Sequence, residues 1–459
     1  MSGPKVVRIV TREEVEALCR QAIGGAEAAA EELRRMHERM GTWNDKAASD
    51  IHSSLEQLRI LLRAGQYLEV QKQAPLSSTF MRSEAERLSR EALTAAEILQ
   101  KRRRHLIESA KSVILVLERQ GIAVSGELRA VMSLAVAASS DDIQALRKIV
   151  SEGMKSARSE ATGSAGTSEK GRELALRLQD PSNGVSLEEW LNDNRVPSAA
   201  EKRLDAALAS VEVFCSPEEV RDFRKRTEAI LKAPAASIDP QVDSLVLEAS
   251  NAAQRARKNA LAASRLRELS SELRALGTSS ALQFADDLLE AVQDGQVERY
   301  EQALERGQSV IRDELAAIAA DARRRAVLAG LASLGYEVRE GMVAAWVRDG
   351  RVIVRKVGTV DYGVELGAPQ DASRLQVRLV GSDAPQMPRS SSRDRDQEVA
   401  WCSDFSQLKE MLKKSGSEMT VQRALEPGAE LVKTVHFDVA RGAEVDQQFG
   451  EKGQRRSST

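Results

Sequence analysis

The stretch that decides the fold runs from Ser77 to Arg119, SSTFMRSEAERLSREALTAAEILQKRRRHLIESAKSVILVLER. Ala85, Ala92, Leu99, Leu106 and Val113 fall seven apart, and Met81, Leu88 and Ala95 form a second series with the same spacing. The 3-4 alternation between them places both series on one helix stripe. At 1.5 Å per residue such a helix extends about 65 Å. The next position of the second series is Arg102, which breaks the stripe before it resumes at Ala110 and Leu117. Gly121 then ends the helix, and shorter helices are expected at about 125–138 and 141–155, the second capped by Ser140 or Asp141.

Upstream, Lys5–Val10 reads as a short strand, and Thr11 with Glu14 as a capping box. A helix follows to about Met40, weakened at Gly24-Gly25, and a second runs from the turn at Gly41–Asn44 to near Gly65. Pro75 is expected to supply a turn between antiparallel helices.

Downstream, the pattern recurs. Lys72–Ser77 resembles Lys232–Ser237 with Pro75 on Pro234, Glu91–Ala96 resembles Glu248–Ala253, and Leu117–Gly121 resembles Leu273–Gly277, at near-constant offsets of 159, 157 and 156. The second long helix, about 240–276, has its own seam in Val242, Leu245, Ala249, Ala252, Ala256, Ala263, Leu266 and Leu273. Its polar break is Asn259, the counterpart of Arg102. A polar residue in such a seam costs stability but sets register and partner choice. Arg102 and Asn259 are therefore the candidate register or partner-contact residues, and replacing both with Leu is expected to raise stability. A last long helix spans about 296–334.

After Gly335 the period changes to two. Asp349-Gly350 between Trp346-Val-Arg and Arg351-Val-Ile-Val predicts a β-hairpin. Val360, Tyr362, Val364 and Leu366 alternate with polar residues, as do Leu375, Val377 and Leu379. An antiparallel sheet is expected, with one face wet and the other covered by the helix ending at Leu334 and one at about 404–415. Residues 382–396 are expected to form a mobile loop.

The fold class is thus mainly α with a C-terminal α+β domain: tandem antiparallel long-helix, coiled-coil-like bundles, then a small antiparallel sheet covered by helices. The expected domains are an N-terminal helical bundle at 1–157, a flexible linker at 158–169 and a second bundle at 170–320, an internal duplication of the first. An α+β domain at 321–440 and a disordered tail at 441–459 complete the chain.

Composition narrows the function. Aromatic residues make up only 3% of the 459 positions, so core volume comes from Leu, Val, Ile and Ala. Sixty-seven Lys and Arg nearly cancel 69 Asp and Glu, and a net charge of −2 supplies no field toward nucleic acid or an anionic membrane. Cys19, Cys215 and Cys402 are isolated, which fits a reducing compartment. No secretory signal and no span of roughly 18 apolar residues is present, so a cytoplasmic location is expected.

No G-x-x-x-x-G-K-S/T or G-x-G-x-x-G occurs, and His37, His52, His105 and His436 lack companions at metal-ligand spacing. No catalytic, cofactor or metal site is therefore expected. Asp361 followed by Gln376-Val377-Arg378 on a neighbouring strand invites a nuclease-like reading, with Glu365 flanking. An arginine, always protonated, cannot serve as the general base. Lys101, Arg103 and Arg104 form the densest basic run. Successive residues turn about 100° each around a helix, so the run does not make one flat basic face.

The expected function is that of a non-catalytic structural or adaptor protein, using long helices and a β-rich docking domain for protein–protein assembly or homo-oligomerisation. The alternative is a regulatory subunit of a multi-component bacterial system powered by a separate ATPase or GTPase encoded nearby. An enzyme with a cryptic site in the C-terminal sheet is third.

Overall fold

The structure, a computed structural model, describes residues 4–161, 199–231, 238–295, 297–359, 361–383 and 390–437. The expected tail at 441–459 and most of the expected linker at 158–169 lie outside the described residues. Strand β1, Lys5–Val10, is followed by helices α1 (Arg12–Arg39), α2 (Asp45–Arg63), α3 (Tyr67–Arg119), α4 (Gly126–Ala135) and α5 (Ser140–Ala161). Then come α6 (Ala199–Phe214), α7 (Pro217–Leu231), α8 (Ile238–Leu276), α9 (Ser279–Gln293), α10 (Tyr300–Ser333) and α11 (Met342–Asp349). Strands β2 (Arg351–Val354), β3 (Tyr362–Gly367) and β4 (Leu375–Ser382) precede helix α12 (Ser391–Lys414), β5 (Glu418–Ala424) and β6 (Lys433–Val435). The protein is mainly helical with an antiparallel sheet toward its C-terminus, as the periodicity indicates.

Helix α3 is longer than the heptads imply, with 53 residues extending about 80 Å. It starts before Pro75, so that residue makes no turn and instead sits inside the helix on its solvent side. Gly121 and Gly277 end α3 and α8 in the left-handed conformation, φ +73° and +75°, which glycine adopts without a Cβ penalty. Helix α1 runs unbroken through Gly24-Gly25, because Gly24 is where it meets α8. A Cβ there would lie 2.8 Å from the Ser271 carbonyl oxygen and 2.9 Å from the Glu272 Cα. Helix α5 is capped by Ser139, one residue earlier than expected. The Asp142 N–H donates to Ser139 Oγ, and the Ser139 N–H donates to the Asp142 carboxylate.

The chain groups into two compact units, each assembled from separated segments. One comprises Met1–Ala28, Asp50–Ser78 and Leu266–Thr459, the other Ala29–Ser49 and Thr79–Arg265. These differ from the consecutive blocks that the sequence suggests because α1, α3 and α8 are long enough to supply residues to both.

In the first unit the sheet order is β2-β3-β4-β1-β5, with β6 running parallel beside the end of β4. The N-terminal strand β1 therefore belongs to the C-terminal sheet, inserted antiparallel between β4 and β5. One face of the sheet carries Val7, Ile9, Val364, Leu366, Leu375 and Val377 against Val327, Leu328 and Leu331 of α10 and Trp401, Phe405 and Leu408 of α12. Both helices cover the sheet as expected, although α12 begins at Ser391, so of the expected loop at 382–396 the end is helical, while residues 384–389 lie outside the described residues. The predicted hairpin at Asp349-Gly350 is absent. Gly350, at φ +67°, ends helix α11, and Trp346 of that helix is fully buried. A type I′ turn and a helix C-terminus demand the same positive φ of glycine, and the local cue does not distinguish them.

Among the described residues of the second unit are two apolar clusters. Leu106, Ala110, Val113 and Leu117 of α3 pack on α4 and α5, and Ala207, Val211 and Phe223 of α6 and α7 pack on Leu245, Ala249 and Ala252 of α8. Among the described residues no helix is long and apolar enough to cross a membrane.

Candidate functional site

Arg102, the expected seam residue, is exposed, and Asn259 is half-buried. The buried position beside Arg102 belongs to Arg103. Its Nε donates to the Ala138 carbonyl at 2.7 Å, and its Nη1 pairs with the Glu212 carboxylate. Arg224 Nη2 donates to the same carboxylate at 2.7 Å. Arg104 pairs with Asp205 at 2.9 Å. Burial pushes the Asp205 carboxyl up to about 6, against the opposing pull of Arg104. Lys101 alone of the basic run, apart from Arg102, faces solvent. The run is therefore split, with Arg103 and Arg104 committed to ion pairs within the helical unit. These pairs lie at the edge of a cavity of about 370 Å³ whose apolar walls include Leu208, Phe223 and Leu245.

The carboxylates of the C-terminal sheet are also placed. Asp361 and Glu365 are both buried, so the polar side of β3 is less wet than its alternation implies. Asp361 pairs along the strand with Ser382, through a Ser382 N–H to Asp361 carbonyl bond of 2.8 Å, and not with Gln376 or Arg378. Glu365 lies directly across from Arg378, which donates to it at 2.8 Å, with Lys433 at 3.7 Å and Arg351 at 3.8 Å. Burial alone would raise the Glu365 carboxyl, but the three cations together hold it below the usual carboxylate range. The arrangement is an ion-pair cluster that knits four strands, β2, β3, β4 and β6. Among the described residues no group of three or more His, Cys, Asp and Glu side chains is placed to hold a metal ion.

A different residue, one the motif search passed over, stands out by its surroundings. Lys5 opens β1 on the side of Val7 and Ile9, and that period-two phase puts it on the helix-covered face. It is only 4% exposed. Its Nζ donates to Cys402 Sγ at 3.2 Å and lies 4.6 Å from the centre of the Phe405 ring and 5.9 Å from that of Trp401. Among the described residues no carboxylate pairs with it. A buried ammonium is costly unless compensated, and a thiol and two ring faces are weak compensation.

Lys5 lies at the base of a cleft of about 760 Å³ between α12 and β5. The helix side presents Phe405, Ser406, Lys409 and Glu410, and the strand side Val421, Arg423 and Ala424. Strand β5 is the edge of the sheet. It pairs with β1 on one side and, among the described residues, with no strand on the other. Its register jumps from Val6 opposite Arg423 to Val7 opposite Val421, so Gln422 is the extra residue of a β-bulge beside the cleft. Most of β5 is exposed. The one signal for this site in the sequence is a lysine in phase with the apolar residues of an alternating strand.

Comparison with protein-family models, with curated proteins and with solved structures finds no match for the chain.

Proposed function

We propose that this chain is a non-catalytic assembly protein of the cytoplasm, whose long helices set spacing and whose β-rich domain docks a protein partner. The observation that carries the reading is the edge strand β5, exposed along a cleft against α12. An unpaired strand edge is a template for an extended segment of another chain, and proteins without such a use shorten, charge or cover their edges. The helical part is read as one module used twice. In both copies a long helix stops at a left-handed glycine and two further helices follow. Cys19 and Cys215, buried as free thiols, support a reducing compartment.

The experiment places a photo-crosslinking residue at Val421 in the full chain, in its native cells, and the same residue at Leu247, which is exposed on α8 of the helical unit. The expected result is a defined heteromeric or homomeric species captured at Val421 alone. The same species should run with the unmodified protein in size-exclusion chromatography with light scattering. A strict monomer with no captured species at Val421 would defeat the reading.

A further inference from the structure

We infer that the cleft between α12 and β5 binds an extended acidic segment of a partner protein, with a glutamate side chain of that segment on the ammonium of Lys5. This inference rests on the docking role proposed above and names the chemistry of the partner. The geometry has three parts. The edge of β5 offers main-chain groups to a strand laid along it. Alternate side chains of that strand, about 7 Å apart, would point into the cleft. One meets the apolar wall of Phe405 and Val421, and the neighbouring one on the same side meets Lys5.

Charge decides what that second side chain is. The cleft is lined by Lys5, Lys409 and Arg423 against a single acid, Glu410. Lys5 is the one of these that is buried, and among the described residues the only hydrogen bond of its side chain is to a sulfur. Two of the three ammonium donors are left for a ligand. A carboxylate supplies the missing counter-charge and accepts from both. A main-chain carbonyl or an amide side chain supplies no charge, so acidic segments are selected over their amide analogues. Glutamate suits the site, because Lys5 is buried one strand in from the edge, and two methylenes carry the carboxylate inward while the main chain stays beside β5.

The rival account makes Lys5 purely structural, held by the two rings. The two accounts predict opposite signs for the same substitution. If Lys5 awaits a ligand, Lys5→Met removes an uncompensated charge, and the midpoint of thermal unfolding stays level or rises. If the ring contacts hold the domain together, the midpoint falls. Cys402→Asp is the second variant. It puts a carboxylate where the thiol meets the ammonium, so the midpoint should rise and the cleft should lose its preference for acid.

The binding experiment uses the full-length protein and fluorescein-labelled peptides, drawn from a random library by selection on the wild-type protein. Each selected peptide is then resynthesised with its Glu replaced by Gln. The expected result is an acidic consensus and a loss of about tenfold in affinity on Glu-to-Gln replacement, the size of a charge-assisted hydrogen bond. That difference should vanish in Lys5→Met and in Cys402→Asp. If selected peptides bind at β5 but Glu and Gln forms bind alike, the carboxylate inference is wrong while the docking role stands. If no peptide is selected at all, both fall. A lowered midpoint for Lys5→Met with unchanged peptide affinity also overturns the inference and assigns Lys5 to the core.

Discussion

Arg103 of α3 and Glu212 of α6 form a buried ion pair, their side chains only 4% and 13% exposed, and Arg224 of α7 shares the same carboxylate. The pair joins three helices of one unit, and the Arg103 Nε also satisfies the carbonyl of Ala138 beyond the end of α4. Arg103→Leu leaves that carbonyl unpaired and removes one of two cations from Glu212, so it should cost about 2–3 kcal/mol in denaturant unfolding. Arg102→Leu changes an exposed side chain and should stay within about 0.5 kcal/mol of wild type. The seam pattern implies that Leu at both Arg102 and Asn259 would stabilise, and the exposure of Arg102 removes its share of that gain. A gain above about 1 kcal/mol for Arg102→Leu would show that the exposed position carries strain.

The one-residue difference between Arg102 and Arg103 shows how far a sequence pattern reaches. A strict seven-residue repeat drifts about 20° per heptad around a straight helix. Over the three heptads from Met81 to Arg102 the drift is about 60°, enough to carry Arg102 out of the seam and its neighbour in. The helices themselves were legible, because Leu88, Leu106, Val113, Leu245, Leu266 and Leu273 are all buried where the spacing puts them. The insertion of β1 between β4 and β5 was not. Lys5 and its partner Val377 are joined by no local rule, and neither strand names the other. The cleft was hidden for the same reason, since its base, helix wall and edge come from three separate parts of the chain.

Asp205 gives the helical unit a pH dependence. Its carboxyl is pushed up to about 6 in the folded chain and lies near 3.9 when unfolded. Below pH 4 both states hold the proton and folding is unaffected. Between pH 4 and 6 the unfolded chain releases it while the folded chain retains it, so stability falls as pH rises, and the loss levels above pH 6. The two-unit shift corresponds to about 3 kcal/mol. Unfolding free energies of wild type and Asp205→Asn, measured by urea titration across that window, should diverge in favour of the variant by about this amount. A constant difference from pH 4 to 7 would mean that Asp205 titrates normally and that Arg104 outweighs burial.

Pro75 offers a stabilising substitution. It lies in the interior of α3, where its ring removes the N–H that would bond to the carbonyl of Gln71, and its side chain faces solvent. Pro75→Ala restores the donor without opening a cavity and should raise stability by about 1–3 kcal/mol. The thermal midpoint, with helicity followed by circular dichroism, reads this directly. A fall in the midpoint would show that the proline helps Val70 and Ala74 reach the core they share with Cys19 and Leu58.

Adjacent glycines of α1 should respond in opposite directions. Both are buried within a continuous helix, where alanine is intrinsically better by about 0.8–1 kcal/mol. At Gly25 an added Cβ meets only the carboxylate ends of Glu272, at 3.3 Å, and Glu268, at 3.9 Å, and flexible side chains can move aside. Gly25→Ala should therefore be neutral or slightly stabilising. At Gly24 the added Cβ meets main chain of α8, which cannot yield without separating the helices. Gly24→Ala should cost about 1–3 kcal/mol, the usual penalty for overpacking a close contact. The comparison is internal: propensity, burial and sequence neighbourhood are nearly matched, and only the hardness of the facing atoms differs. Equal effects of the two substitutions on the unfolding midpoint would mean that α1 and α8 do not approach at Gly24.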